Sequence, residues 1–416
     1  MSRGLQTLLV LVLFSAPGLV GRAALAASEE PHQVVTTDHF VPHISTLPAD
    51  QGELIHLFVR ERDASNRADR TAVLMIHGLS VPVLPGAELR TDHYDWALWL
   101  AQSGGFDVFM LDFQGSGRSP RPKMDDPCNV PTAQQQSLLV PNPLSATCPP
   151  SYPFQLVPVD SDWRALDTVV KYIRDLRGVG KVHLVSWSQG SFRAAPYAAQ
   201  NPDKVASLFL FAPIFNSQLG PGNADNPPPL PRPGTPMSLR TRANLFGLWR
   251  PEVQCENQRE DGIEDVVWSA IMDNDSIGRT WGPPPAGAPT GSAPEGLMRV
   301  RTPTLWGWNT NVARTIIVPT LIFQGEFDTG AGGPQHLAEL YSFIPQANKL
   351  RFRVQCTGHW TVWENQRRVL YHISKEWIRH GKVAGFGQGE FCVDTEGNLS
   401  PLSPTLPACP WGASTP

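Results

Sequence analysis

Long apolar runs are scarce in this chain. Past a short stretch near the start, no segment approaches the roughly 20 apolar residues that a membrane-spanning helix requires, so no span is expected in its 416 residues. Charge of one dominant sign is also missing: 34 Lys and Arg against 38 Asp and Glu leave a formal net charge of −4. That balance gives no footing for nucleic acid or an anionic membrane surface as a partner. None of the six cysteines has CxxC spacing, which argues against a zinc site. No internal repeat is found, so the chain is not read as an array of small units.

What is present is an ordinary globular composition, 41% apolar and 17% charged, long enough for one large domain or a core domain carrying an insertion. Its 41 prolines gather in 120–158, 213–236, 283–303 and the last sixteen positions, which marks those stretches as loops. The first 26 residues carry Arg3, an apolar run from Leu8 to Phe14, Pro17-Gly18 and the small-residue site Ala24-Leu25-Ala26. They read as a cleavable secretory leader, which implies a secreted or periplasmic protein. In an exported chain an even number of cysteines suggests disulfides. Fifteen pairings are possible; proximity favours Cys128 with Cys148 and Cys392 with Cys409, leaving Cys255 with Cys356 to tie a distant segment to the core. Asn398-Leu399-Ser400 would accept a glycan only in a eukaryotic secretory pathway.

Buried strands covered on both faces read as unbroken apolar runs. AVLMI at 72–76, DVFMLDF at 107–113, VHLVS at 182–186 and VASLFLF at 205–211 have that character, and further strands are expected at 319–324 and 349–354. Between them lie helical patterns at 93–103, 163–177, 189–200, 334–343 and 362–380, the second expected to be capped by Ser161-Asp162. Strands alternating with helices predict an α/β fold with a mostly parallel central sheet flanked by helices. The alternation breaks at about 214 and resumes at 316. The expected organisation is therefore a leader at 1–26, core at 27–213, an inserted cap or lid at 214–315, core again at 316–382, and an irregular tail at 383–416. Five tryptophans of the insertion, Trp249, Trp268, Trp281, Trp306 and Trp308, suggest an apolar or aromatic substrate.

Three residues of complementary chemistry end predicted strands: Ser188 in SWSQG, Asp328 in QGEFD and His359 in CTGHW. The carboxyl edge of a parallel sheet is where open α/β folds bind ligands. Ser188 would also suit a helix cap, and Glu326 is a rival to Asp328 as the acid. His77 is read mainly as a shaping residue of its loop and Arg118 as an ion-pair partner, while Trp187 and Trp360, with His77, are possible pocket residues.

In this order the serine, acid and histidine, together with His77-Gly78-Leu79 and Asp112-Phe113-Gln114-Gly115-Ser116-Gly117-Arg118-Ser119, resemble the α/β-hydrolase family over roughly 55–380. The resemblance implies a Ser188-Asp328-His359 triad, an oxyanion hole from the backbone N–H groups of Leu79 and Gln189, and hydrolysis without metal or cofactor. An esterase or lipase acting on an apolar ester is the leading expectation. Amide, peptide or carbon-carbon cleavage and acyl transfer would use the same residues, and HGLS in place of an HGGPG-like loop counts against peptidase action. A non-catalytic binding protein of this fold would be expected to have lost a triad member. SWSQG departs from G-x-S-x-G at Ser186, which the turn must tolerate.

Overall fold

The computed structural model describes residues 32–64, 70–79, 81–89, 93–215, 217, 227–330, 333–402 and 409. The expected leader, 1–26, lies outside the described residues. The strands are β1 (Val35–Ile44), β2 (Leu54–Asp63), β3 (Ala72–Ile76), β4 (Asp107–Leu111), β5 (Val157–Pro158), β6 (Val182–Trp187) and β7 (Val205–Phe211). They continue as β8 (Met237–Arg240), β9 (Met298–Arg301), β10 (Pro303–Thr304), β11 (Thr320–Gly325), β12 (Lys349–Val354), β13 (Gly389–Val393) and β14 (Leu399–Pro401).

Ten of these form one sheet in the order β1-β2-β4-β3-β6-β7-β11-β12-β13-β14. From β4 to β13 every neighbouring pair is parallel, and antiparallel strands close both edges. Side chains alternate across the sheet as strand geometry requires. Val73 and Met75 of β3 pack with Trp96 and Leu100 of helix 96–104 and Trp377 of helix 367–380, while Leu74 and Ile76 face helices 159–177 and 191–200.

Several expectations are corrected. Helix 159–177 starts at Val159 after Pro158, and Asp162 does not cap it. Both Asp162 oxygens are instead taken by buried guanidinium groups of Arg193 and Arg301. The tail from 383, expected to be irregular, adds β13 beside β12 and β14 beyond it. Among its described residues the one buried run is Phe391-Cys392-Val393, too short to stand out as a pattern. Three disulfides join Cys128 to Cys148, Cys255 to Cys356 and Cys392 to Cys409.

The segment between β7 and β11 divides into two parts. The β8–β9 ribbon and helices 242–249 and 263–272 pack on the helix 96–104 side of the core through Leu245, Phe246, Trp249, Val267 and Met298. Residues after β9 have already returned to the opposite face, where Trp306 and Trp308 pack with helices 159–177 and 191–200. All five tryptophans of the segment are buried in packing. Trp249, for example, lies among Phe246, Trp360 and Trp363.

Candidate active site

β6 runs straight into a turn at 188–190 and then into helix 191–200. Ser188 sits at the bend with φ of 56°, a left-handed conformation that a non-glycine residue holds only when its surroundings enforce it. The enforcement is steric. A Cβ on Gly190 would lie 3.0 Å from the His77 carbonyl oxygen and 3.3 Å from the Ser186 Cβ, so any larger residue there presses on backbone that must give way. Gly78 is similarly pressed against Ser188, with its would-be Cβ 3.2 Å from that of the serine. Ser186 is 1% exposed, and its Cβ shares this crowded space with Gly190.

His359 stands in the loop after β12 and Asp328 in the loop after β11. The Nε2 of His359 is 2.8 Å from Ser188 Oγ, and its Nδ1 is 2.9 Å from Asp328 Oδ1. A carboxylate only accepts, so Nδ1–H donates to Asp328 and Nε2 is left to accept from the serine hydroxyl. Burial opposes a charge on His359, but Asp328, with Glu252 and Glu364, more than offsets it and holds the imidazole pKa above its ordinary value. Glu326, the rival acid, accepts the Cys356 backbone N–H at 3.0 Å instead.

The loop after β3 is fixed from behind. His77 Nδ1–H donates to the Gly78 carbonyl at 2.7 Å, and its Nε2 accepts from the Phe113 N–H at 3.3 Å. Burial and the neighbouring Arg193 and Arg301 charges hold its pKa well below the usual value, so it is a neutral structural residue. It does not line the cavity, contrary to its candidacy as a pocket residue. Arg193 also donates to the His77 and Gly78 carbonyls at 3.1 and 3.3 Å. Because a trans peptide sets C=O and N–H on opposite sides, the Leu79 N–H points away from this buried network.

Two carboxylates escaped the sequence reading. Glu252, from the segment between β7 and β11, accepts the Thr329 N–H at 2.9 Å, the Thr329 hydroxyl at 2.8 Å and the His359 N–H at 2.6 Å. Glu364 accepts from the Gly358 N–H at 2.9 Å, the Trp249 indole at 2.7 Å and the Thr357 hydroxyl. Burial raises both, Glu364 to about 7. Glu252 fastens the loops that carry Asp328 and His359 to the segment above them, and the Cys255–Cys356 disulfide repeats the tie three residues from each. No motif marks either acid; the one clue to Glu252 was the favoured pairing of Cys255 with Cys356.

Ser188 and His359 open on a cavity of about 290 Å³. Its walls are largely apolar, with Leu79, Val81, Trp187 and Trp360 from the core and Leu245 and Leu248 from helix 242–249. Trp187 is braced by its indole N–H, which donates to the His359 carbonyl at 3.0 Å. The indoles facing the cavity are thus core residues, and none of the five in the segment between β7 and β11 reaches it. Among the described residues no group of three or more His, Cys, Asp or Glu is arranged to hold a metal ion, and no helix is long and apolar enough to cross a membrane.

Residues 71–247 match the family described as alpha/beta hydrolase fold. By sheet order and this match, the chain has the alpha/beta hydrolase fold. No curated protein matches it by sequence. Solved structures of similar outline include a serine hydrolase, CCSP0084, from Cycloclasticus zankles, with 11% identity, TM-score 0.47, and coverage of 83% of this chain and 98% of that one. A thermophilic esterase from Thermogutta terrifontis has 16% identity, TM-score 0.45 and coverage of 82% and 98%. The thioesterase domain from the curacin biosynthetic pathway has 15% identity, TM-score 0.46 and coverage of 81% and 98%.

Proposed function

We propose that this protein is an exported serine hydrolase that cleaves esters with an apolar acyl or alcohol part through an acyl-enzyme. The hydrogen-bonded series Ser188, His359, Asp328, opening on an apolar cavity, is the observation that carries this reading. A serine hydroxyl is a weak nucleophile until a base takes its proton, and His359 Nε2 lies in hydrogen-bond reach to do so. Asp328 keeps Nδ1 protonated and stabilises the imidazolium that forms; His359 then returns the proton to the departing alcohol. The N–H groups of Leu79 and Gln189 receive the oxyanion, and water repeats the sequence to release the acid.

Segment 237–301 acts as a cap, since Arg240, Leu245, Leu248 and Glu252 wall the cavity from above the sheet edge. Export is supported by the leader-like first 26 residues and is compatible with three disulfides.

Treatment with an activated phosphonate tests the nucleophile. The adduct is expected on the peptide containing Ser188, absent in Ser188→Ala and greatly slowed in His359→Ala. Labelling of another serine that persists in Ser188→Ala would overturn the assignment. Matched p-nitrophenyl esters and aminoacyl anilides then separate esterase from peptidase; faster turnover of the anilides would replace the ester reading.

A further inference from the structure

A guanidinium in the cavity wall extends this reading to substrate class. β8 and β9 form one antiparallel ribbon, with Leu239 opposite Arg299 and Met237 opposite Arg301. In β9 both arginines are neutralised: Arg299 by Asp275 and Asp125, Arg301 by Asp162. Arg240, at the end of β8 and half-buried, also lines the cavity that Ser188 and His359 open on. Unlike Arg299 and Arg301, it makes no side-chain ion pair or hydrogen bond among the described residues. Burial alone acts on its pKa, lowering it, and no nearby acid offsets that effect.

The acid in the same wall is not available to pair with it. Glu252 spends its two oxygens on the Thr329 N–H and hydroxyl and on the His359 N–H. A partly desolvated cation without a counter-ion costs stability, and a ligand that brings the missing negative charge recovers that cost on binding. A guanidinium presents paired donors in the geometry of a carboxylate.

We infer that Arg240 binds a carboxylate carried by the substrate, so that this enzyme hydrolyses monoesters or monoacyl derivatives bearing a second, free carboxylate. The inference rests on the serine-hydrolase reading above. The apolar walls take the hydrocarbon part, Ser188 faces the ester, and Arg240 fixes which end of the molecule enters.

Two matched pairs test it: p-nitrophenyl hemisuccinate with p-nitrophenyl butyrate, carrying the charge on the acyl side, and 4-(butyryloxy)benzoate with phenyl butyrate, carrying it on the leaving group. In at least one pair the full-length enzyme is expected to favour the carboxylate member in kcat/KM. Arg240→Gln should lower that preference about 10- to 100-fold, the scale of a charge-assisted hydrogen bond, and Arg240→Lys should keep part of it. An unchanged ratio in Arg240→Gln, or no preference in either pair, overturns the proposal while leaving Ser188-dependent ester hydrolysis standing. Calorimetric binding of the same compounds to Ser188→Ala separates the two readings. Carboxylate binding that is lost on adding Arg240→Gln supports the site even if Ser188 proves not to be the nucleophile; equal binding of charged and neutral members counts against it.

Discussion

The carboxyl edge of the sheet and the segment above it build one cavity by different means. At the edge, position is imposed by backbone crowding: Ser188 is held at φ of 56° because Gly190 and Gly78 let neighbouring chains approach within van der Waals contact. Above it, position is imposed by discrete ties, chiefly Glu252 and the Cys255–Cys356 disulfide, between the segment that follows β7 and the loops of Asp328 and His359. Steric fixation tolerates almost no added bulk, but the position it imposes depends on no single polar group. Fixation by ties is the reverse, so cutting each tie should produce a graded loss, whereas damage at the edge should be all-or-none.

The largest effect belongs to the edge. Asp328→Asn leaves the shape intact but removes the carboxylate charge and offers an NH2 that can donate to His359 Nδ1 and favour the wrong tautomer, so kcat should fall about 10⁴-fold. Glu326→Gln, two residues away and bonded to the Cys356 N–H, should change kcat by less than about tenfold. Steady-state kinetics of the two variants check this, and a reversed order would move the acid to Glu326.

Next comes the covalent tie. Replacing Cys255 and Cys356 together by serine opens a loop with a sequence separation of 101 residues and should cost about 2–4 kcal/mol of stability. Denaturant unfolding measures it, and a loss below about 1 kcal/mol would mean that packing of Trp249 and its neighbours alone holds the segment down.

Glu252→Gln cuts the polar tie. An amide cannot accept from both the Thr329 and His359 N–H groups with its two ends, and kcat should fall about 10-fold, the scale of one frustrated buried hydrogen bond. The pH profile adds a sign. His359 must be neutral to act as a base, and its pKa is raised partly by Glu252, so activity declines as pH drops through that raised value. Removing the Glu252 charge lowers the histidine pKa, and the acid limb of kcat/KM should move to lower pH. A limb that stays in place would make Glu252 a purely structural tie.

The same contrast explains what could be read from sequence. β3, β7 and β12 were found with their observed limits because strands covered on both faces are unbroken apolar runs. The β1–β2 hairpin was missed because β2 buries Arg60, Glu61 and Arg62, charges that look like a surface until their partners Asp38, Glu88, Asp95 and Arg177 are known. Ser188, Asp328 and His359 were legible because each follows a strand whose end the pattern defines. Glu252 and Glu364 were not, since a tie between segments more than 70 residues apart leaves no periodicity in either. The five tryptophans say little about the site for a related reason: composition reports that a segment has an apolar interior, not which surface faces the substrate.

The smallest effect separates size from polarity at the turn. Ser186 occupies a position where the neighbouring space has room for a Cβ, 3.3 Å from the point a Cβ on Gly190 would reach, and for little more. Its hydroxyl is buried without a hydrogen-bond partner among the described residues, so the oxygen adds desolvation cost and no compensating bond. If steric fit alone selects this residue, Ser186→Ala keeps the filled volume and discards the cost. Stability should then be unchanged or higher by up to about 1 kcal/mol, with kcat within about twofold. Ser186→Leu would drive a branched chain into the Gly190 contact and displace Ser188. Thermal unfolding and kinetics of the pair decide it. A destabilised alanine variant would mean that the hydroxyl supports the turn, and an active leucine variant would mean that the edge is less rigid than its crowding implies.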